Sequence, residues 1–586
     1  MDDAYKGDLL NEQIITHPPI SEVSDIILHY SRGFVKKKLI NHSYLRGFMK
    51  KNDIITLEIT GFTAEGNGVG RHEGMAVFVP LTAAGDIARV LIVKVKKSFA
   101  YGKLLELVRK AESRIESDCA VFSRCGGCAL RHISYEAECE VKRSRVEECI
   151  RRIGGIPLES RPIIAAESIT RYRNKAQYPI SANGEVGFYA IHSHRIIPCN
   201  DCALQPEVFS KIAEIVGEWI RKFNITVYDE ATKKGLLRHL YLRKGMALNE
   251  TMAVLVINGD SIPHSQALVD SLTQQLGDEL KSIQININRE DTNVILGEQC
   301  KVLYGTPYIH DILCGVKIRL SPLSFYQVNR DMAQKLYMKA AEYALPDDRV
   351  ILDLYCGAGT IGLSMACRAK KIIGVEIVAP AIEDAKLNAE QNGITNAEFI
   401  CADAADAAQR LAKNGIHPDT VIVDPPRKGC SAELLNTVAR DFSPERIVYV
   451  SCDPATLARD AALLNNMGYR LVEYTPVDLF PRTHHVETVA LLSQRRPDEH
   501  IDITIDLTEF DTTAAELKAT YPEIKEYVLN KFGLKVSSLY ISQVKTKCGI
   551  IERENYNKGK AGHRVPQCPK EKEDAIMDAL KHFKMI

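Results

Sequence analysis

Residues 346–495 alternate short apolar runs with segments of helical periodicity, which is the pattern of a parallel sheet covered by helices. The first apolar run, 350–355, ends in the glycine-containing turn 356–360, and a helix-like segment follows. Glycines in such a turn let the backbone approach a ligand and aim helix N–H groups at it. The pattern predicts a doubly wound α/β domain that binds a ligand at the carboxyl ends of its strands.

Acidic residues follow successive predicted strands at this edge. Glu376 ends the second strand, where a carboxylate accepts hydrogen bonds from both hydroxyls of a ribose. Asp403 follows the third strand, placed to meet an adenine, and Asp424 ends the fourth. The turn lacks the third glycine of a dinucleotide site, so the sequence predicts S-adenosylmethionine rather than NAD.

Cys452 lies at the end of the fifth predicted strand, and a helix is expected to begin near Pro454. A helix N-terminus lowers the pKa of a nearby thiol, so we expect an enlarged thiolate fraction at Cys452. A single cysteine at a strand end is more often buried filler, but Glu487 on a later strand edge reverses that preference. A thiol and a carboxylate beside an adenosine site predict methyl transfer to an unreactive carbon. Carbon 5 of uracil is such a carbon, because it becomes nucleophilic after a thiolate adds at carbon 6.

Five of the sixteen cysteines form a separate group earlier in the chain. Four thiolates suit either zinc or an iron–sulfur cluster, so this spacing favours a metal site. The alternative is a set of buried cysteines acting as small apolar residues. The group comprises Cys119, Cys125, Cys128, Cys199 and Cys202.

Length and composition set the broad class. A chain of 586 residues exceeds one hydrophobic core, so several domains are expected. No apolar run reaches the roughly 18 residues of a membrane span, and the polar residues 1–6 do not resemble a signal peptide, which predicts a cytoplasmic protein without membrane contact. The 75 basic and 75 acidic residues balance, but local basic patches at 32–38, 94–97, 142–145 and 171–175 favour a nucleic-acid substrate.

The chain divides into five predicted segments. Residues 51–110 contain β-branched runs punctuated by glycines, which predicts an OB-like β-barrel similar to a TRAM domain. Residues 111–345 form a central α+β region that contains the cysteines, and 346–495 form the S-adenosylmethionine-binding domain. Residues 1–50 are an extension without clear periodicity. Residues 496–586 form a helical, basic extension that is either a helix-turn-helix-like unit or a structural cap.

These features together resemble the RNA uracil-5 methyltransferase family over approximately residues 52–495. The resemblance is closest to the branch with a TRAM domain and a cysteine group, which modifies 23S ribosomal RNA. It rests on the cysteine set and on the motifs 172–177, 324–329, 353–359, 424–429, 451–460 and 485–487.

The resemblance implies specific residue roles. Cys452 is the implied nucleophile and Glu487 the implied proton acceptor, while Gln327, Tyr355, Glu376 and Asp424 are the implied contacts of S-adenosylmethionine. A [4Fe-4S] cluster is implied on Cys119, Cys125, Cys128 and Cys202, with Cys202 preferred over Cys199. Transfer RNA is the alternative substrate, and no obligate protein partner is expected of what is predicted to be a monomer. Two rival functions are an amino-methyltransferase acting on a nucleobase and a non-catalytic RNA-binding module.

Overall fold

The computed structural model describes residues 49–494 except 192 and 200, residues 520–548, and residues 567–586 except 584. The chain divides into two compact units, residues 1–495 and residues 496–586, and each is described by itself. The part of the predicted N-terminal extension over 1–48 and the parts of the predicted helical extension over 496–519 and 549–566 lie outside the described residues.

A closed five-stranded barrel begins the first unit, as the sequence predicts. Side chains along the first strand alternate between the two faces, so that Ile55, Leu57 and Ile59 point into the barrel while their neighbours face outward. Gly70 is required where two strands meet closely, because a Cβ there would lie 2.2 Å from Leu57 Cδ1. The order around the barrel is β1-β2-β3-β5-β4, with bounds β1 Ile54–Phe62, β2 Gly68–His72, β3 Met75–Val79, β4 Ile87–Val95 and β5 Phe99–Arg109.

A mixed five-stranded sheet organises the central region. Only β10 and β11 are parallel, and the order is β12-β11-β10-β9-β6. Helix α2 packs its apolar face on this sheet, and its buried Trp219 donates a hydrogen bond to His264 O at 3.1 Å. The elements are α1 Tyr135–Arg152, β6 Lys175–Pro179, β7 Gly187–Tyr189, β8 Ile196–Pro198, α2 Glu207–Phe223, β9 Leu237–Gly245, β10 Glu250–Ile257, α3 Ser265–Leu276, β11 Leu280–Ile287, β12 Gln299–Gly305, β13 Ile309–Leu313 and β14 Val316–Leu320.

A seven-stranded sheet follows in the order β17-β16-β15-β18-β19-β21-β20, which confirms the predicted doubly wound α/β fold. The first five strands are parallel, and β21 runs antiparallel to them. Strand β20 pairs antiparallel with β21 and therefore runs in the same direction as the first five. Apolar residues cover both faces because helices lie on each side. The elements are α4 Arg330–Ala344, β15 Val350–Leu354, α5 Thr360–Met365, β16 Lys371–Glu376, α6 Ala379–Gln391, β17 Ala397–Cys401, α7 Ala404–Lys413, β18 Thr420–Val423, α8 Ala432–Asn436, β19 Arg446–Ser451, α9 Pro454–Asn466, β20 Tyr469–Val477 and β21 Glu487–Gln494.

The described part of the second unit consists of three helices around a small apolar core. A capping box between Thr520 and Glu523 begins the first helix, and Gly533 in the left-handed region ends it. None of the helices in the described residues is both long and apolar enough to span a membrane. The helices are α10 Tyr521–Phe532, α11 Ser538–Lys547 and α12 Lys570–His582.

Candidate active site

The strand register brings Cys452 and Glu487 to the same place. Strands β19 and β21 are antiparallel, and Ser451 pairs with Thr488. Cys452 comes one residue after Ser451, and Glu487 comes one residue before Thr488. Continuing the antiparallel pairing by one residue on each strand places Cys452 opposite Glu487. The thiol and the carboxylate therefore meet at the edge of the sheet where β15 and β18 also end.

The thiol of Cys452 is held in its protonated form. Burial raises its pKa to about 12, and the negative charges of Glu487, Asp424 and Asp453 contribute, while Arg427 opposes them. The expectation of a pKa lowered by the start of α9 is therefore wrong in direction. The side chain of Asp453 caps that helix by accepting hydrogen bonds from Ala455 N and Thr456 N, so the helix start carries its own negative charge.

The carboxyl groups beside the thiol also have raised pKa values. Burial raises the pKa of Glu487 to about 8, with a further contribution from Asp424, and Arg427 lowers it. Burial likewise raises the pKa of Asp424 to about 7. Carboxyl groups with pKa values near neutrality can both accept and return a proton at physiological pH. The site is therefore suited to proton transfer next to a sulfur nucleophile.

The loop that carries Arg427 is anchored by buried Asp460. Asp460 Oδ2 accepts hydrogen bonds from Cys430 N at 2.9 Å and from Tyr449 OH at 2.7 Å. Gly429 fits against this carboxylate, since a Cβ there would lie 2.6 Å from Asp460 Oδ2. Asp460 thus connects the end of β18 to β19 and α9. The sequence did not lead us to predict this anchor, although Asp460 lies within the motif 451–460.

A buried ionic network supports the segment that leads to Glu487. Lys142 Nζ contacts Glu138 Oε1 and Asp478 Oδ1, both at 2.7 Å, and donates to Phe480 O at 3.1 Å. All three charged side chains are at most 1% exposed. Glu138 Oε1 also accepts a hydrogen bond from Arg482 N at 2.6 Å. Helix α1 therefore fixes the chain just before β21.

The same segment contacts both the barrel and the cysteine region. Arg145 donates to Ala64 O in the barrel and to His484 O, each at 3.0 Å. Arg482 O accepts hydrogen bonds from Ala129 N and Leu130 N, which directly follow Cys128. His484 and His485 are neutral at pH 7 because burial lowers their pKa values to about 4 and about 3. The segment 478–486 is thus a junction of three parts of the first unit.

The turn after β15 has the geometry of a ligand-binding turn. Tyr355 has φ +66°, a strained value for a non-glycine residue, and Gly357 and Gly359 have φ +55° and +77°. Glu376 Oε2 accepts a hydrogen bond from Gly357 N at 3.3 Å, and Oε1 accepts one from Val378 N at 2.9 Å. Fully buried Asp353 accepts from Gly362 N through Oδ2, whereas its Oδ1 has no partner among the described residues. These features fit an adenosine ligand that supplies further donors.

Asp403 and Gln327 lie in different segments, Asp403 after β17 and Gln327 before α4. Asp403 is exposed and caps α7, where its Oδ1 accepts a hydrogen bond from Ala405 N at 2.9 Å, and its charge acts on Tyr355. Gln327 lies between β14 and α4, and its backbone carbonyl accepts a hydrogen bond from Asn174 Nδ2 at 2.8 Å. The motif 324–329 also reaches the segment before Glu487, because Asn329 Nδ2 donates to Leu479 O at 3.1 Å.

The five grouped cysteines line one cavity of about 240 Å³. The cations of Arg131, Arg173 and Lys175 also line it, and Arg131 Nη1 lies 3.9 Å from Cys128 Sγ. Burial raises the pKa of Cys125 and that of Cys128, in the latter case against the opposing charge of Arg131, whereas a hydrogen bond with Cys199 lowers the pKa of Cys202. The cavity is lined by Cys119, Cys125, Cys128, Cys199 and Cys202.

Within the described ranges, no group of three or more His, Cys, Asp or Glu side chains is placed to hold a metal ion. The five thiols share a cavity without forming such a group.

The chain is similar to known RNA methyltransferases. Residues 134–495 match the family model described as tRNA (uracil-5-)-methyltransferase, and residues 50–105 match the TRAM domain. A protein of Clostridium tetani described as an uncharacterized RNA methyltransferase is 43% identical over 447 residues, covering 76% of this chain and 97% of that protein. One of Clostridium acetobutylicum with a similar description is 42% identical over 451 residues, covering 76% and 98%.

One solved structure is similar over most of the first unit. It is the Pyrococcus abyssi tRNA (uracil-54, C5)-methyltransferase in complex with S-adenosyl-L-homocysteine. The TM-score is 0.62 at 29% identity, covering 75% of this chain and 99% of that one.

Proposed function

The chain belongs to the tRNA (uracil-5-)-methyltransferase family, and we propose from this that it uses S-adenosylmethionine to methylate carbon 5 of a uridine in 23S ribosomal RNA. The observation that supports this most is the register that opposes Cys452 and Glu487 at the ligand-binding edge of the sheet. An amino-methyltransferase would need neither residue, and a purely RNA-binding protein would need no ligand turn after β15.

The proposed chemistry begins with the target uridine taken out of its stack. Cys452 gives its proton to solvent and its Sγ bonds to carbon 6, which moves the electron pair of the 5,6 double bond into an enolate and makes carbon 5 nucleophilic. Carbon 5 would then take the methyl group of the donor, whose bond to the sulfonium sulfur breaks and leaves S-adenosylhomocysteine. Glu487 then takes the proton from carbon 5, and the bond from Sγ to carbon 6 breaks to release 5-methyluridine. General-base help of this kind is typically worth about 10²–10⁴-fold in rate.

We assign the donor contacts to residues around the turn. Glu376 would accept hydrogen bonds from the ribose hydroxyls and Asp403 would face the adenine. Tyr355, Asp424 and Gln327 would contact the rest of the donor. The unpartnered Oδ1 of Asp353 and the positive φ values of Tyr355, Gly357 and Gly359 support a ligand at this turn.

Ribosomal RNA is the preferred substrate because the TRAM domain and the cysteine group occur together in this chain. Transfer RNA is the second candidate, and the similarity to a structure described as a tRNA (uracil-54, C5)-methyltransferase favours it. Mass mapping of 5-methyluridine in RNA from cells lacking the gene decides between them. Loss of the modification from 23S ribosomal RNA alone is the expected result, and loss from transfer RNA alone would overturn the substrate assignment.

We propose that the cysteine cavity holds a [4Fe-4S] cluster on Cys119, Cys125, Cys128 and Cys202. The thiol-lined cavity and its cationic neighbours support this proposal. A bound cluster would supply a rigid cross-link between residues 119–128 and 199–202. Anaerobically purified Cys202→Ser should lose iron and the visible absorption of the cluster, whereas Cys199→Ser should retain both. The reverse result would make Cys199 the ligand.

The cluster has no redox step in this scheme, so its proposed role is to fix the RNA-binding region. Cys125→Ser should lose RNA affinity while retaining S-adenosylmethionine binding. Unchanged RNA affinity in protein without the cluster would contradict this role. We further propose that the protein acts as a monomer in the cytoplasm with RNA as its principal partner. Its barrel, central region and S-adenosylmethionine-binding region would be three domains, flanked by the extensions 1–50 and 496–586.

A further inference from the structure

Three aromatic side chains cluster on the outer surface of the barrel. The ring centroids of Phe78 and Phe99 are 5.3 Å apart, and Tyr101 lies 5.8 Å from Phe78 and 5.5 Å from Phe99. All three rings are partly exposed, whereas the alternating neighbours Val77 and Ala100 are fully buried. The rings therefore belong to the outward face of β3 and β5 rather than to the barrel core.

Five cations surround these rings. Lys94 on β4 pairs in register with Tyr101, and Arg71 on β2 pairs with Ala76, two residues before Phe78. Lys103 lies two residues after Tyr101 on the same side of β5. The β4–β5 hairpin adds two more exposed lysines beside Phe99. We call the eight residues the aromatic face: Phe78, Phe99, Tyr101, Arg71, Lys94, Lys96, Lys97 and Lys103.

The cations of the aromatic face have no carboxylate within ion-pair distance in the described parts of the chain. Two other exposed cations on the same barrel are paired, since Arg89 contacts Glu106 at 3.1 Å and Arg109 contacts Glu58 at 3.7 Å. Positive charge around partly exposed rings matches a ligand with flat apolar groups linked by negative charges.

We propose that the aromatic face binds single-stranded RNA, with bases stacked on Phe78, Phe99 and Tyr101 and phosphates beside the lysines. Base–aromatic stacking and backbone cations are the two components of single-strand binding by OB-like barrels. The RNA identity of this ligand rests on the proposed function, whereas the stacking chemistry does not. The face would hold nucleotides flanking the target uridine.

The rings are tested with labelled oligouridylate of about 16 nucleotides, a length within the binding range of such barrels, and full-length protein without methyl donor. Phe78→Leu combined with Tyr101→Leu keeps apolar volume but removes two π faces. Fluorescence anisotropy should show at least about a tenfold loss of RNA affinity, since stacking strengthens binding by that order for each base. Phe78→Tyr with Phe99→Tyr keeps the rings and should bind like the wild type. Unchanged affinity in the leucine variant would overturn the proposal.

The charges are tested by the salt dependence of the same binding. Lys94→Gln with Lys103→Gln should reduce the slope of log affinity against log salt by about 0.7 for each lost phosphate contact. Arg89→Gln with Arg109→Gln removes the same charge from the same barrel and should leave the slope near the wild-type value. Equal slopes in the two double variants would show that the face does not contact phosphates.

These results separate the aromatic face from the proposed methylation. Normal oligouridylate binding by the leucine variant, together with 5-methyluridine formation, overturns the aromatic face alone. Ring-dependent binding by a protein that forms no 5-methyluridine leaves the face standing and overturns the proposed function. Ring-dependent binding of single-stranded DNA but not RNA would overturn the assignment of RNA as the ligand.

Discussion

Cys452 and Glu487 occupy opposed positions at the end of the antiparallel pair β19 and β21, and the charge of Glu487 raises the pKa of the Cys452 thiol. The resting site therefore keeps its nucleophile protonated. Arg427 is the cation that acts on both groups in the opposite direction. Activation of the thiol depends on the opposing effects of Arg427 and the neighbouring carboxylates. Substitution of these charged residues should therefore change the pKa of the thiol.

Arg427→Gln should make the thiol of Cys452 harder to ionise, because the substitution removes the opposing positive charge. Alkylation of Cys452 by iodoacetamide, measured on its peptide by mass spectrometry, should slow at pH 8 by up to about tenfold, the change that one pKa unit gives. Lys428→Gln is the matched control, since that exposed neighbour does not act on Cys452. Equal alkylation rates in both variants would contradict the role of Arg427.

Glu487→Gln should change how stability depends on pH. The folded-state pKa of Glu487 is raised to about 8, so its protonated form is favoured in the folded protein. The wild type should therefore lose stability as pH rises from about 5 through 8, where the buried carboxylate becomes charged. The glutamine variant cannot charge, so its melting temperature should fall less between pH 6 and pH 9, by several degrees. Parallel melting curves across this range would show that Glu487 ionises normally.

Asp460→Asn should loosen the loop that carries Arg427. Asp460 Oδ2 accepts these two hydrogen bonds and Oδ1 accepts one from Arg459 Nε at 2.8 Å, so the NH2 group of asparagine must face a donor at one of the two positions. We expect the free energy of unfolding to fall by about 2–3 kcal/mol in urea titrations. Tyr449→Phe removes one of the donors and should cost about 1 kcal/mol. A larger loss in Tyr449→Phe than in Asp460→Asn would contradict the anchoring role.

Lys142→Met should lower the free energy of unfolding, because buried negative charges before β21 lose their cation. The substitution leaves Glu138 and Asp478 without their shared cation in a site that water does not reach. Breaking a buried ion pair by removing one partner typically costs about 3–5 kcal/mol, measured as the free energy of unfolding. Adding Asp478→Asn to Lys142→Met should recover part of the loss. A double variant less stable than the single variant would show that charge repulsion is not the cause.

The strand-end residues were predictable because parallel strands bring their carboxyl ends to one edge. Asp424, Glu376 and Cys452 follow apolar runs that the sequence displays clearly, and the structure places each at that edge. The barrel was predictable for a similar reason, since alternation and glycine turns indicate its strands. These features depend on local periodicity, which a single sequence carries.

The direction in which the pKa of Cys452 shifts was not predictable in the same way. It depends on burial and on the charges of Glu487 and Asp424, which come from different strands and become neighbours only in the folded sheet. The anchoring role of Asp460 and the buried partners of Lys142 are also long-range contacts. The cysteine spacing indicated a metal site, but only the fold shows that Cys199 and Cys202 reach the same cavity.

The covalent route is tested most directly by trapping the RNA adduct in Glu487→Gln. This variant retains Cys452 but lacks the base that removes the carbon-5 proton, so a protein–RNA complex stable to denaturing electrophoresis should accumulate when RNA and S-adenosylmethionine are supplied. Mass spectrometry should place methylated RNA on the Cys452 peptide, and Cys452→Ala should give neither adduct nor product. Full turnover by Cys452→Ala, or complete release of product by Glu487→Gln without an adduct, would contradict the mechanism.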